Sequence, residues 1–468
     1  MTNLNAQNKI RKVAFIYLTP GSGEYYITDE LACDIQRRPQ LGLQYLCAVL
    51  ERRGIKTHIF DQTVSLFGPD WLREKLRGYD IAGFYCSDSQ EDIVKGLCKK
   101  IKEQLDIKIL VGGPSTLENP SFLDYGCDIV VYGEGEITLQ EIIGYYNGER
   151  EIDTIKGIFY RNGNEIVKAS AQELIKNLDV LPFPDRSKVD INAYYDYYLF
   201  GMKRPYITMI TARGCIYRCS FCTSCNLWGN RYRRRSVDNV LSEIDEVVEK
   251  YSIRYIAFQD DVFGVTNDWI EDFCNKLLKR PYRIRWMVIF HPFSIERDTE
   301  RILRLMKRAG CDTVSFGLQT AHSQILKNIN RDPAEPQKLK RLLAIADNIG
   351  FMSAVSYIFG LPGDTKETIQ TTIDYSMDCG ATFSTYFTLS VLRGSEIERR
   401  YRDKPICELA KETVQELTVY ASKRFYTRPK NILRIAYFVL TNPVWLINTR
   451  FNILSLLARV GFFKTKNK

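Results

Sequence analysis

The sequence predicts an α/β protein: a doubly wound parallel sheet at the N-terminus, a partial (β/α)6 barrel after it, and a helical C-terminal region. Between Lys12 and Tyr146, five short apolar runs alternate with helical patterns, and between Tyr206 and Leu389 six more do the same. Glycines also gather at strand-to-helix turns, as Gly112-Gly113 and Gly133-Glu134-Gly135, where sheets of this class receive ligands. With 468 residues, 45% hydrophobic and 26% charged, the chain is globular and long enough for two or three domains. The expected division is 1–148, a linker over 149–203, the barrel over 204–395 and a helical region over 396–468.

In the first domain, the strand Lys12 to Leu18 leads through a Gly/Pro loop to a helix from about Leu41 to Arg53, whose apolar face is Leu43, Leu46, Cys47 and Leu50. The alternation continues with Thr57 to Phe60 and a helix after Pro69. Ile81 to Tyr85 follows, with Ser87 at its end and a helix from Glu91 to Gln104. Ile107 to Val111 then runs into Gly112-Gly113-Pro114, and Asp128 to Tyr132 into Gly133 and a helix to Tyr146. The glycines permit either tight turning or close approach of backbone to a phosphate-bearing ligand, and the second cluster opens a helix whose amino end favours anions. From Asn147 to Arg204 the chain reads as a connector, with a hairpin around Asn162-Gly163-Asn164 and paired prolines at Pro182 and Pro184.

The second domain contains strands at Tyr206 to Thr211, Arg254 to Phe258, Arg285 to Phe290, Thr313 to Leu318, Ser353 to Phe359 and Ser384 to Leu389. Six βα units suit a partial barrel better than a closed eightfold one, and reactive groups then belong at strand C-termini. After the first of these strands comes Cys215-x3-Cys219-x2-Cys222. Three thiolates are one short of a closed structural zinc site, whereas an iron-sulfur cluster on three cysteines keeps one iron open. Cys225 could complete a four-thiolate zinc site, although the span is tight and no histidine lies nearby.

The loop, with Phe221 before its last cysteine, resembles that of the radical S-adenosylmethionine (SAM) enzymes. The resemblance implies that Cys215, Cys219 and Cys222 hold a 4Fe-4S cluster whose open iron chelates SAM, and that SAM is cleaved to methionine and a 5′-deoxyadenosyl radical. It also implies SAM contacts at Phe221, at Asp260 or Asp261, at Gln319 where relatives often carry an acid, at Ser356 on the ribose, and at Gly360 in the Gly360-Leu361-Pro362-Gly363 turn. Taken as residues alone, Asp260-Asp261 equally suits a divalent metal or a helix cap, and the turn a plain Pro-Gly stop.

Lys12 to Tyr146, with Arg38-Pro39-Gln40-Leu41-Gly42-Leu43 and Val111-Gly112-Gly113-Pro114, resembles the cobalamin-binding domain that precedes the radical SAM domain in one large subgroup, which includes the class B methyltransferases. Cobalamin contacts are then expected at Ser87, Gly112, Gly113, Gly133, Glu134 and Gly135. No D-x-H-x-x-G run occurs, and of the three histidines, His58, His291 and His322, the first sits mid-strand and reads as structural. Cobalt, if bound, has no histidine ligand from this domain; a domain that has lost cobalamin is the other reading.

Thirteen cysteines and a polar N-terminus exclude a secreted disulfide framework and point to a reducing cytoplasm. The net charge of +9 has no aromatic-basic module behind it, which argues against nucleic acid. Arg231, Arg233, Arg234 and Arg235 read equally as a solvated turn or an anion contact. Tyr206, Tyr217, Trp228, His291 and Tyr386 read as packing first and cavity lining second, and Cys311 and Cys379 as buried structural thiols. The tail after Gln415 carries amphipathic, basic, aromatic-containing runs that fit packing on the barrel and, for part of it, peripheral membrane contact.

The resemblance implies a cobalamin-dependent methyltransferase acting, through the deoxyadenosyl radical and methylcobalamin, on an unactivated carbon or phosphorus of a small-molecule or lipid-like intermediate. A reductant such as flavodoxin or ferredoxin is implied with it. The alternatives are a cyclase or rearranging enzyme with the same cofactors, and a noncatalytic cobalamin or Fe-S sensor.

Overall fold

A computed structural model describes residues 9–19, 38–194, 205–295 and 298–441. The tail beyond Thr441, the Gly/Pro loop after Thr19 and the side chain of Cys225 lie outside the described residues. The chain divides into two compact units, Met1–Tyr194 and Tyr195–Lys468.

The first unit is a seven-stranded sheet of β1 (Lys12–Tyr17), β2 (Lys56–Asp61), β3 (Ile81–Tyr85), β4 (Lys108–Gly112), β5 (Ile129–Val131), β6 (Ile158–Asn162) and β7 (Glu165–Lys168), in the order β2-β1-β3-β4-β5-β6-β7. The first five strands are parallel. Their apolar runs are continuous because both faces are covered. Along β1, Ala14 and Ile16 enter one core, with Phe84, Val111 and Leu97, while Val13, Phe15 and Tyr17 enter the other, with Leu43, Cys47 and Ile142.

The expected linker over 149–203 needs correction. Its hairpin, β6 and β7, extends the sheet antiparallel to β5. Ile158 and Tyr160 join one core and Phe159 the other, and Gly163 makes the turn at φ +60°. The apolar run Ile158-Phe159-Tyr160 had an open sheet edge beside it, and burying it there outweighs the polar turn that suggested a domain end. Further on, Tyr194 donates its hydroxyl to buried Asp61 at 2.8 Å, so the unit closes only there.

In the second unit, β8 (Tyr206–Met209), β11 (Tyr255–Phe258), β12 (Arg285–Phe290), β13 (Cys311–Gln319), β14 (Met352–Phe359) and β15 (Phe383–Thr388) form a parallel sheet in chain order, with helices between them. A two-residue ribbon, β9 (Ala212–Arg213) with β10 (Arg233–Arg234), closes the loop that holds the three cysteines. The first strand therefore stops at Met209, two residues before the end expected from its β-prone run, because Ala212 and Arg213 turn away to pair with β10. Strands β8 and β15 stay at opposite ends of this six-stranded sheet, as in an open partial barrel.

The arginine cluster is neither a solvated turn nor an anion site as a whole. Arg235 is buried, donates to Ile210 O at 3.0 Å and to Asn239 Oδ1 at 2.6 Å, and pairs with fully buried Glu243 on helix Val237–Tyr251. Breaking a buried pair strands the remaining charge, so Glu243→Ala is expected to destabilise the protein by about 3–5 kcal/mol, read by chemical denaturation.

Candidate active site

The three thiols sit on the loop after β8 and are all partly buried. Backbone N–H groups point at two of them, Tyr217 N to Cys215 Sγ and Ser224 N to Cys222 Sγ, each at 3.4 Å. Burial, followed by Cys219, Asp261 and Cys222, pushes the Cys215 thiol up to about 12 against the donation from Tyr217. Three thiolates can share this loop only with positive charge among them. Among the described residues, no three ligand side chains converge closely enough for a single metal ion.

The loop is held from several sides. Ser220 N donates to Ile329 O at 3.1 Å, Ile397 N to Ser220 O at 3.0 Å, and Asn330 Nδ2 to Arg218 O at 3.3 Å. Phe221 packs on an apolar pad of Ile325, Ile329, Leu361 and Ile397. The Gly360 turn therefore rests on the same pad through its neighbour Leu361.

The two carboxylates after β11 play different parts. Buried Asp260 accepts from Thr211 N at 2.6 Å, Ala212 N at 2.9 Å and Thr211 Oγ1 at 2.7 Å, fixing the chain between β8 and the ribbon. Burial carries its pKa up to about 7 against those donors. Asp261 is exposed, and its Oδ2 accepts from Gly214 N at 3.2 Å and Ser224 Oγ at 2.9 Å. Gly214 precedes Cys215 and Ser224 follows Cys222, so one carboxylate oxygen ties both ends of the thiol loop.

At the C-terminal end of β13, Gln319 takes the left-handed conformation at φ +72°. Its side chain folds back over Gly317, where a Cβ would stand 2.6 Å from Gln319 Nε2. Gly317 is in register with Ser356 on β14, and Ser356 with Thr385 on β15, all three half-buried. Gly360, at φ +86°, donates its N–H to Asp364 Oδ2 at 2.9 Å, as does Leu361. The thiol loop, Asp261, Gln319, Ser356 and Gly360 thus all belong to the C-terminal halves or ends of parallel strands.

Sequence reasoning missed Arg331 and Glu335. Arg331 is buried, pairs with Glu335 and donates to Gly317 O at 2.8 Å. Burial opposes its charge, but Glu335 and the Cys219 thiol hold its pKa above the usual value. His291 stacks on Tyr217 with ring centroids 3.5 Å apart, and its Nε2 stands 3.5 Å from Glu335 Oε1. Burial, then Arg331 and Lys338, pushes its pKa down to about 2, so the imidazole is neutral. Nothing in the spacing of a lone Arg after a short helix signals this placement. Tyr206 is fully buried in β8, Tyr386 hydrogen-bonds Ser376 at 2.6 Å, and Trp228 carries Arg213 and Arg233 on its ring, so these three are packing residues.

In the first unit, the expected contacts follow three neighbouring strands, Ser87 after β3, Gly112-Gly113 at the end of β4 and Gly133 after β5. The order 2-1-3-4-5 puts the topological switch between β1 and β3. Ser87 N and Oγ both donate to Gln90 Oε1, at 2.9 and 2.7 Å, and Gln90 Nε2 donates to Leu18 O, bridging that switch. Gly113 has φ +114°, and a Cβ there would stand 2.5 Å from Cys86 O. Gly133, at φ +83°, faces open space, while Gly135 packs near Leu46. Glu134 differs from these glycines, being buried and accepting from Ile175 N at 2.7 Å, which pins the later segment to the sheet. His58 packs on Phe60 in β2, with centroids 4.4 Å apart.

Residues 209–376 match the Radical SAM superfamily and residues 32–143 match the B12 binding domain, together more than half of the chain. The chain is a radical SAM enzyme with a B12-binding domain. An uncharacterized methyltransferase of Pyrococcus horikoshii is 26% identical over 85% of this chain and 89% of its own length. An anaerobic magnesium-protoporphyrin IX monomethyl ester cyclase of Cereibacter sphaeroides is 27% identical over 73% of this chain and 56% of its own. The cobalamin-dependent SAM radical enzyme OxsB, solved with aqua-cobalamin and SAM bound, shares the fold at TM-score 0.71 and 17% identity, over 96% of this chain and 72% of that one.

The radical SAM domain brings a 4Fe-4S cluster and SAM, and the B12-binding domain brings cobalamin. The residues present fit both groups. Three partly buried thiols on one tied loop suit the cluster, and a rim of Ser87 and glycines free of side chains suits a broad ligand at the strand ends.

In the radical SAM domain, Asp261→Ala is expected to leave both ends of the thiol loop untied. Each hydrogen bond to a charged group contributes about 1.5–3 kcal/mol, here at the low end because Asp261 is exposed. The variant should lose cluster iron to a chelator several-fold faster than wild type, with Asp261→Asn in between, followed by the absorbance of the iron-chelator complex.

Proposed function

We propose that this chain is a cobalamin-dependent methyltransferase acting on an unactivated carbon, or a phosphorus centre, of a small-molecule or lipid-like biosynthetic intermediate. The observation that supports it is one chain with a tied three-thiol loop at the ends of the barrel strands and, in a separate sheet, a glycine rim at the C-terminal ends of β4 and β5, next to the strand that flanks the topological switch. When bound, the cluster with SAM supplies a carbon-centred radical, and cobalamin supplies a transferable methyl group. We assign Cys215, Cys219 and Cys222 to holding the cluster. Asp260 and Asp261 hold its loop, while Gln319, Ser356 and Gly360 line the ends of the strands where SAM lies. Phe221 and the apolar pad beneath it keep water from one side of that space. Ser87, Gly112, Gly113, Gly133 and Gly135 border the cobalamin site, with Glu134 as its structural tie.

The relative named as a cyclase supports a second reading, ring closure with the same cofactors. Anaerobic reconstitution with iron, sulfide and hydroxocobalamin, then dithionite and SAM labelled in its methyl group, separates the two. Label in a product made from candidate substrates supports methyl transfer; an unlabelled ring-closed product supports the cyclase. Absence of 5′-deoxyadenosine from a fully loaded protein would sink both.

A further inference from the structure

The two faces of the second sheet are told apart by what they bury. Tyr357 and Tyr386 hydrogen-bond Cys379 at 3.6 Å and Ser376 at 2.6 Å, at the end of helix Lys366–Asp378, and Phe258 and Trp286 pack on Phe273 of helix Asn267–Leu278. The residues alternating with these four point into the barrel. Its halves are filled differently. On β8, β11 and early β12 the inward residues include Tyr206, Tyr255 and Met287, all buried, and they fill that side. On β13, β14 and β15 they are Ser315, Gly317, Ala354, Ser356 and Thr385, all small and all half-buried, and that side is hollow. From Ala354 to Ile358 the strand rises about 13 Å, and three strands span about 10 Å. From the level of Ser315, Ala354 and Phe383 up to the strand ends, no residue on this face is charged. Arg331 touches the hollow only through the carbonyl of Gly317 and is paired with Glu335. At the rim, Phe387 is 46% exposed, and the segment after β15 carries exposed Val391 and Leu392. That segment is tied to the thiol loop, Asn226 donating to Gly394 O and Ile397 N to Ser220 O at 3.0 Å.

We propose that this hollow receives the substrate, and that the substrate is an uncharged, hydrocarbon-rich molecule lying along the inner face of β13, β14 and β15 below Gln319 and Ser356. The inference rests on the proposed function in one respect, that SAM lies at those strand ends, and it narrows that reading to carbon rather than a phosphorus acid. A charged group entering such a face meets no opposite charge and gives up its hydration, at a cost of several kcal/mol. A hydrocarbon gains by leaving water for Ala354, Ile358 and Phe387. The hydroxyls of Ser315 and Thr385 still offer partners to a neutral hydroxyl or carbonyl, the few polar groups that orient a ligand in an apolar site.

Equilibrium dialysis of the reconstituted full-length protein, with SAM and without reductant, tests this with tritiated dehydroepiandrosterone, an uncharged fused-ring probe, and with its sulfate ester, the same skeleton carrying one negative charge. The neutral probe is expected to bind saturably, and the sulfate roughly tenfold more weakly. Ala354→Leu, which fills the hollow, and Phe387→Glu, which sets a charge at its exposed rim without entering the core, should each weaken the neutral probe roughly tenfold. Ile166→Glu, on the exposed edge strand β7, should leave it unchanged. Failure of the neutral probe to saturate, equal binding of the sulfate, or wild-type binding by Phe387→Glu overturns the proposal. Adding dithionite to the same preparation and measuring 5′-deoxyadenosine reports on the underlying reading separately. Protein that makes deoxyadenosine but does not bind the probe refutes the substrate class alone, whereas protein that binds it and makes none refutes the reading on which the inference rests.

Discussion

Cys219→Ala is expected to fold and yet to hold no 4Fe-4S cluster, with 5′-deoxyadenosine formation from SAM falling to background. The side chain is partly buried on a loop whose backbone is fixed independently of it, through Ser220 with Ile329 and Ile397, and through Asp261 with Gly214 and Ser224. Removing one sulfur therefore costs the fold little. It takes away one of the three proposed cluster ligands and leaves buried Arg331, paired with Glu335, facing a methyl group in place of the Cys219 thiol. The proper control is Cys311→Ala, which removes a thiol buried at the start of β13. That variant should lose stability by cavity formation but keep its iron and sulfide. Iron and sulfide analysis with chromatography of the reduced SAM reaction reads both variants; full cluster content in Cys219→Ala would overturn the assignment of the loop.

The alternation of apolar runs is enough to read both sheets, because a parallel strand covered on both faces is apolar throughout and its helix carries its own period. The order of the strands follows from right-handed crossovers between neighbours in the second unit. The hairpin β6–β7 escapes such reading, since a strand that pairs at a sheet edge looks from sequence like any short apolar run beside a turn. The three thiols are legible through their spacing. The different parts played by Asp260 and Asp261 are not, because adjacent residues on a turn point in different directions and only coordinates say which one is buried. Glu134 reads from sequence as part of a ligand loop, yet in the fold it ties Ile175. Its partner lies 41 residues away, and nothing local announces such a bond. Arg331 is hidden in part for the same reason: Glu335 lies only four residues on, but Gly317 and Cys219, which place the pair beside the thiol loop, come from distant parts of the chain.

Gly214→Ala is expected to abolish cluster assembly as completely as loss of a cysteine, through backbone alone. Gly214 sits at φ +91° between the ribbon and Cys215, and a Cβ there would stand 2.0 Å from the carbonyl oxygen of Arg231. Left-handed backbone alone costs an L-residue about 1–2 kcal/mol. The steric conflict is larger, because its partner is main chain in the segment leading to β10 and cannot rotate away as a side chain can. Relief requires the β9–β10 ribbon to open, which also pulls Gly214 N from Asp261 and moves Cys215. Gly133→Ala provides the comparison: its φ is +83°, nearly as strained, but a Cβ there meets nothing within 4 Å. That variant should show only the modest conformational cost and keep full iron loading. If both variants load iron equally, the close approach of Gly214 to Arg231 does not govern the loop; if Gly214→Ala alone fails, the ribbon is what sets the thiols at cluster spacing.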